Sequence, residues 1–398
     1  MQSAWRIGSL FGIPLLIDLS WFLILILVSV INALDFATKW GPIVGASMGL
    51  VMALLLFGSV LLHELGHSLV ARSQGIPVNS ITLFLFGGVA AIDRESRTPG
   101  EALQVAIAGP LVSLSLAGLL RLVALALPQS ALLYDLAMYL STLNLVVALF
   151  NLIPGLPLDG GQILKSAIWK FTGNRFQAVR WAARIGQCLG GLAIACGILL
   201  DLLTEELFSG FWMALLGWFC LRNALFYYRT ANIQETLLNL TAQTAMNRNV
   251  RTIEAEMTLS EFAQFYLQEA DPARDYFVTK AGRYRGRISL DAWREVERSQ
   301  WDLTAVESLV PEPLAGGTIL EKSSLLEAIN ALEGHCINNL VVLNAMESPV
   351  GTLNRRDILK AVVQALNLSV SEGQIQQVHE QGQYPPNLQL QAIARSTL

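Results

Sequence analysis

From Ile43 to Leu62 the chain carries no charged residue, and this run continues into "LLHELGHSLVA" (Leu61–Ala71). An α-helix needs about 20 apolar residues to cross the hydrocarbon core of a bilayer. In lipid, backbone groups must be satisfied within the segment, so such a run is restricted to a helix. The run ends on His63, Glu64 and His67. A charged side chain at mid-bilayer costs about 2.5 kcal/mol or more, so ionisable groups in such a helix require a partner or a wet cavity.

Composition places the rest of the chain around this helix. Of 398 residues, 53% are hydrophobic and only 15% charged, against about 25% charged in a soluble domain. Six apolar spans are expected, at 13–34, 43–71, 102–127, 133–155, 183–202 and 208–228. The first reads as a transmembrane helix rather than a cleaved signal. Lys165, Lys170, Arg175, Arg180 and Arg184 follow the fourth span against one acid, Asp159. Positive residues mark cytoplasmic loops, so both termini are expected in the cytoplasm of a multi-pass cell (inner) membrane protein. The net charge of −4 argues against a nucleic-acid partner. Four cysteines without a C-x-x-C pair suggest neither a disulfide framework nor a cysteine metal site. Cys188, Cys196, Cys220 and Cys336 read as small buried hydrophobes.

The expected fold is thus a polytopic α-helical membrane domain, 1–230. A linker (231–242) and a soluble α/β part follow. That part reads as an internal repeat, 243–300 and 301–366, with Glu261 to Gly286 spaced nearly as Glu327 to Gly351. Residues 367–398, rich in Gln, Ser and Pro, read as a flexible tail.

H-E-x-x-H on a helix has a mechanical meaning. His63 and His67, four apart, share a face and can bind one zinc through neutral imidazole. Glu64, about 100° round the helix, can take the proton of an attacking water. Catalytic zinc needs a third protein ligand. "NLIPGLPLDGGQIL" offers Asp159 after a break made by Pro154, Gly155 and Pro157. On spacing alone Asp159 suits a helix cap; beside the first motif it suits a third ligand at the same membrane depth.

The two motifs, in this order and on these spans, resemble the site-2 protease family of intramembrane zinc metalloproteases (peptidase family M50). The motifs are His63-Glu64-Leu65-Gly66-His67 and Asn151-x-x-Pro154-x-x-x-x-Asp159-Gly160. The likeness covers roughly residues 1–230. It implies a Zn2+ on His63, His67 and Asp159, Glu64 as general base and acid, and Asn151 in contact with substrate or oxyanion. "LFLFGGVAAI" resembles the family's membrane-embedded strand, where Gly87 and Gly88 let a substrate backbone approach. "AIAGPLVSL" also fits, with Gly109 and Pro110 read as helix packing.

The repeat resembles a pair of cystathionine-β-synthase (CBS) domains, which often bind adenine nucleotides. Of that signature the first copy keeps Gly286 and Ser289, with Ala292 in place of the acid. The second keeps Gly351 and Asp357, with Asn354 in place of the hydroxyl residue. The pair is equally suited to dimerisation or substrate docking. The resemblance implies proteolysis of a membrane-spanning protein: a membrane-held transcription factor, an anti-sigma factor or a signal-peptide remnant. Six spans with a CBS pair also describe a CBS-gated transporter, and a family member lacking activity would be a helix-binding scaffold.

Overall fold

The computed structural model describes residues 4–204, 207–268, 276–311, 317–335, 337–368, 370–382, 384–385, 388 and 390–396. The chain divides into two compact units between Ala231 and Asn232.

The first unit begins with a hairpin, β1 (Trp5–Leu10) and β2 (Ile13–Ile17), followed by α1 (Leu19–Trp40) and α2 (Pro42–Ser73). A second hairpin, β3 (Val78–Phe84) and β4 (Gly87–Ile92), precedes α3 (Pro99–Leu125), α4 (Leu132–Asn151), α5 (Asp159–Thr172), α6 (Arg175–Thr204) and α7 (Leu207–Asn239). The strands form one sheet in the order β1-β2-β3-β4. Its central pair, β2 and β3, is parallel; the hairpins are antiparallel.

The first expected span is therefore corrected. Asp18 splits it, its side chain accepting from Ser20 N to cap α1. What precedes Asp18 pairs as strand, and Ile13, Leu15 and Ile81 pack on Leu65 of α2.

Five helices, α1, α2, α3, α4 and α6, are long and apolar enough to cross a membrane, so the chain is a polytopic helical membrane protein. The sixth expected span, 208–228, lies within α7, where Arg222 and Asn223 dilute the hydropathy. Glycines in α6 serve close packing: a Cβ on Gly190 would meet Gly217 O at 2.8 Å, and one on Gly197 would meet Gly210 O at 2.6 Å, both on α7. Cys188 and Cys196 are exposed and Cys220 partly so, which corrects the expectation of buried thiols; Cys336 lies outside the described residues.

The second unit carries two similar modules. After α8 (Ala242–Ala245) comes β5 (Arg251–Glu254), α9 (Leu259–Gln268), β6 (Tyr276–Lys280), β7 (Arg283–Arg287) and α10 (Leu290–Glu295). Then come β8 (Thr318–Leu320), α11 (Leu325–Gly334), β9 (Asn339–Leu343), β10 (Pro349–Asn354) and α12 (Arg355–Ala365). Each module has one parallel and one antiparallel strand pairing, β5-β6-β7 and β8-β9-β10. The leading strand of each was not read from the sequence.

Two boundaries differ from expectation. The linker is helical, and Ile233, Leu237 and Ala242 are buried in the core of the second unit. The tail forms α13 (Glu372–Gln381) and α14 (Leu390–Ser396), and Val378, Leu388, Leu390, Ile393 and Ala394 join that same core. Its composition is polar, but its few apolar residues fall where they can be buried. Leu390 is fully buried, so Leu390→Ala is expected to destabilise this unit by about 2–5 kcal/mol. Faster amide hydrogen exchange in α11 of the full chain would report it; unchanged exchange would return the tail to a dispensable end.

Candidate metal centre and active site

Small residues bring α2 and α3 together at the H-E-x-x-H segment. A Cβ on Gly66 would meet Val112 Cγ2 at 2.9 Å and Ala108 O at 3.0 Å. His63 and His67 therefore lie against α3, both buried. Asp159 arrives from the other side. Leu152, Ile153 and the Pro154–Leu158 turn end α4, and α5 begins at Asp159 itself. Glycines fold this turn tightly: a Cβ on Gly160 would overlap Leu152 O, and one on Gly161 would come 2.6 Å from Gly155 O. The N-cap position belongs to Leu158, which makes no side-chain cap hydrogen bond. The cap reading of Asp159 is thus set aside, because its carboxylate faces the imidazoles.

Three donor groups converge. His63 Nε2 lies 3.3 Å from His67 Nε2 and 3.0 Å from Asp159 Oδ2. His67 Nε2 lies 3.3 Å from Asp159 Oδ1. Zinc with bonds of 2.0–2.1 Å in tetrahedral geometry requires donors about 3.3 Å apart. The two 3.3 Å separations match that value and the 3.0 Å one is shorter, with the two contacts to Asp159 ending on different carboxylate oxygens. His63, His67 and Asp159 are the group of described residues that could hold a metal ion. Each imidazole is anchored through its other nitrogen. His67 Nδ1 lies 2.6 Å from Val105 O, a carbonyl acceptor, and His63 Nδ1 2.9 Å from Ser113 Oγ, a hydroxyl that can accept or donate, both on α3. Ser113 and Val105 were not read from the sequence, although Gly109 and Ser113 stand four apart in "AIAGPLVSL".

Glu64 lies against β4. A Cβ on Gly88 would overlap Glu64 Cγ and come 3.1 Å from Cδ. The backbone of Ala90, on β4, lies beside the Glu64 carboxylate. Ala90 is paired with Ile81 of β3. β4 is an edge strand among the described residues. Gly87, next to Gly88, has φ +127°, a backbone conformation open to glycine and strained for other residues. Gly88 thus falls beside Glu64, whereas a Cβ on Gly87 would meet nothing within 4 Å. The tip of this hairpin is fixed by Phe86, stacked on Phe219 of α7 at 4.3 Å between centroids. Asn151 ends α4 one turn before the break and makes no side-chain hydrogen bond within the described residues.

An ion cluster ties the end of this hairpin to α5 and α6. Glu95 Oε2 lies 3.9 Å from the buried Lys165 Nζ and 3.4 Å from Arg175 Nη1. The Lys165 ammonium, with Arg175 adding to it, holds the Glu95 carboxyl below its ordinary value. A carboxyl depressed on folding contributes stability that is complete above the unfolded value, about 4.3 for Glu, and lost as pH falls through the folded value. Acidification below about pH 4 is therefore expected to weaken the membrane unit, and Glu95→Gln to flatten that dependence in thermal melts. Equal acid sensitivity in both proteins would remove the cluster from the account.

The residues expected at the nucleotide signature have structural tasks. Ser289 caps α10, accepting from Ala292 N. Asn354 and Asp357 form a reciprocal capping box on α12. A Cβ on Gly286 would overlap Val310 Cγ1, and one on Gly351 would come 2.8 Å from Met246 Sδ. Both glycines accommodate neighbouring chain.

Comparison with known proteins gives the family. The profile of peptidase family M50 matches residues 51–138 and 127–192, and that of the CBS domain residues 309–364. A Synechocystis protein described as a candidate zinc metalloprotease, sll0528, is 42% identical over 366 residues, 91% of this chain and 96% of the relative. Zinc metalloprotease MJ0392 of Methanocaldococcus jannaschii is 28% identical over 365 residues, 91% of this chain and 97% of the relative. A solved site-2 protease from Methanocaldococcus jannaschii, 31% identical, covers 56% of this chain and 95% of its own, with a TM-score of 0.43.

Proposed function

We propose, from the premise that this chain belongs to peptidase family M50 and is a zinc metalloprotease with a C-terminal CBS region, that it hydrolyses peptide bonds within or next to a substrate's transmembrane segment. The observation that carries this is the setting of the three donors: they converge within 3.0–3.3 Å of one another, between α2, a helix long and apolar enough to cross a membrane, and the start of α5, beside a strand that is an edge among the described residues.

His63, His67 and Asp159 are the residues that fit zinc. The chemistry zinc supplies when held there is Lewis acidity toward a carbonyl and toward water. The chain's own residues do the rest. Glu64 takes the proton of the attacking water and returns it to the leaving amine. The edge of β4 pairs with an extended substrate backbone, and Gly87 and Gly88 leave room for it. Asn151, which makes no side-chain hydrogen bond among the described residues, is assigned to the substrate carbonyl.

Substrate and topology follow as parts of the same proposal. The first part of α7 is a sixth span, and the lysines and arginines of α5 and α6 face the cytoplasm of the inner membrane, as do both termini. Substrates are membrane-spanning proteins of the classes named above. The CBS pair regulates, through a homodimer or an adenine nucleotide held near Gly286, Ser289, Gly351 and Asp357.

The test is the position of the cut. The full chain is placed in vesicles with single-span substrates, and the products are mapped by mass spectrometry. Scission inside the span or at its border is expected. Scission confined to extramembrane segments, or metal flux across the vesicle without scission, would overturn the proposal.

A further inference from the structure

We propose that one face of α3, built from Val105, Gly109 and Ser113, is a positioning device that turns two helical histidines into a metal seat. These residues stand four apart and therefore share a face. The inference rests on the zinc reading of His63, His67 and Asp159.

Val105 fixes one ring. Its carbonyl can only accept, so His67 Nδ1, 2.6 Å away, carries the proton. The neutral ring then presents the lone pair of Nε2 to the metal. Ser113 fixes the other ring. Its buried hydroxyl lies 2.9 Å from His63 Nδ1 and accepts from it in the same tautomer. Two anchors thus select the two Nε2 lone pairs that lie 3.3 Å apart beside Asp159.

Gly109 lies between the anchors. A Cβ there would overlap His67 Nε2 and come 2.6 Å from His63 Nε2 and 2.6 Å from His67 Cε1. These are the donor ends of the rings. Gly66, by contrast, faces Ala108 O and Val112 of the neighbouring helix, which is ordinary close packing. Gly109 instead clears the volume into which both donors project. The expectation that Gly109 serves helix packing is replaced by this one: the missing side chain is room for the metal seat.

The test uses full-length protein in detergent, stripped of metal. Zinc affinity is measured by competition with a chromophoric chelator, and the cobalt-loaded protein is followed by its visible absorption. Thermal melts of the metal-free proteins serve as the folding control. Ser113→Ala is expected to lower zinc affinity about 10–100-fold, and Ser113→Thr, which keeps the hydroxyl, to restore most of it. Gly109→Ala is expected to lose zinc at least as severely and to change the cobalt spectrum while melting normally. Should Gly109→Ala fail to fold, the Ser113 pair decides. Zinc affinity in Ser113→Ala equal to wild type, with an unchanged cobalt spectrum, would overturn the inference alone. A wild-type chain that binds no zinc would overturn the reading of the site as well.

Discussion

Glu64→Gln is expected to reduce cleavage of a single-span substrate by about 10²–10⁴-fold, the usual contribution of a positioned general acid–base, while leaving zinc content unchanged. The substitution keeps the shape of the side chain and its place beneath Gly88 and Ala90. It removes only the capacity to take a proton. Glu64 is not among the three converging donors, so the metal seat stays intact. The two readouts are zinc by elemental analysis and product by gel or mass spectrometry. A Glu64→Gln protein that cuts at the wild-type rate would remove Glu64 from the chemistry.

The second large effect is expected from Asp159→Ala. The carboxylate meets both imidazoles, with Oδ2 3.0 Å from His63 Nε2 and Oδ1 3.3 Å from His67 Nε2. Without it the site keeps two neutral imidazoles from one helix and nothing from α5. The loss of zinc affinity should exceed the roughly 100-fold that a partner one shell further out is worth, and cleavage should disappear with the metal. Raised zinc should recover only part of it. Asp159→Ala protein that holds zinc as tightly as wild type would place the third ligand elsewhere.

How much of this was legible in the sequence depends on what kind of information each residue carries. His63 and His67 were legible because four residues along a helix is a fixed geometric relation. Asp159 was legible because Pro154, Gly155 and Pro157 announce a break, and the count of spans puts that break at the depth of the histidines. Gly88 falls beside Glu64, but its closeness to that side chain is a tertiary fact that no local pattern states. The same is true of Gly109 and Ser113. A glycine four residues before a serine is common in packed membrane helices, and nothing in that spacing says that the neighbour is an imidazole.

The fold was misread where local composition and tertiary contact disagree. Ile13–Ile17 is apolar enough to begin a helix, yet it pairs as a strand because Asp18 caps α1 and β3 offers an edge. Residues 367–398 are polar on average, yet Leu388, Leu390 and Ile393 are buried against the second unit's core. Average polarity is a property of the whole segment, whereas burial is decided by a few side chains at the right places. In α7, Arg222 and Asn223 lower the hydropathy of a helix whose earlier part reads as a span.

The most direct test of the account is to follow cleavage as zinc is withdrawn and returned. The full chain, in vesicles with a single-span substrate, is stripped with a chelator and titrated with zinc while product and bound metal are measured together. The account predicts that cleavage vanishes with the metal and returns in proportion as zinc fills one site per chain. Cleavage that persists in the stripped protein, or a zinc-filled chain that cuts no single-span substrate, would contradict it.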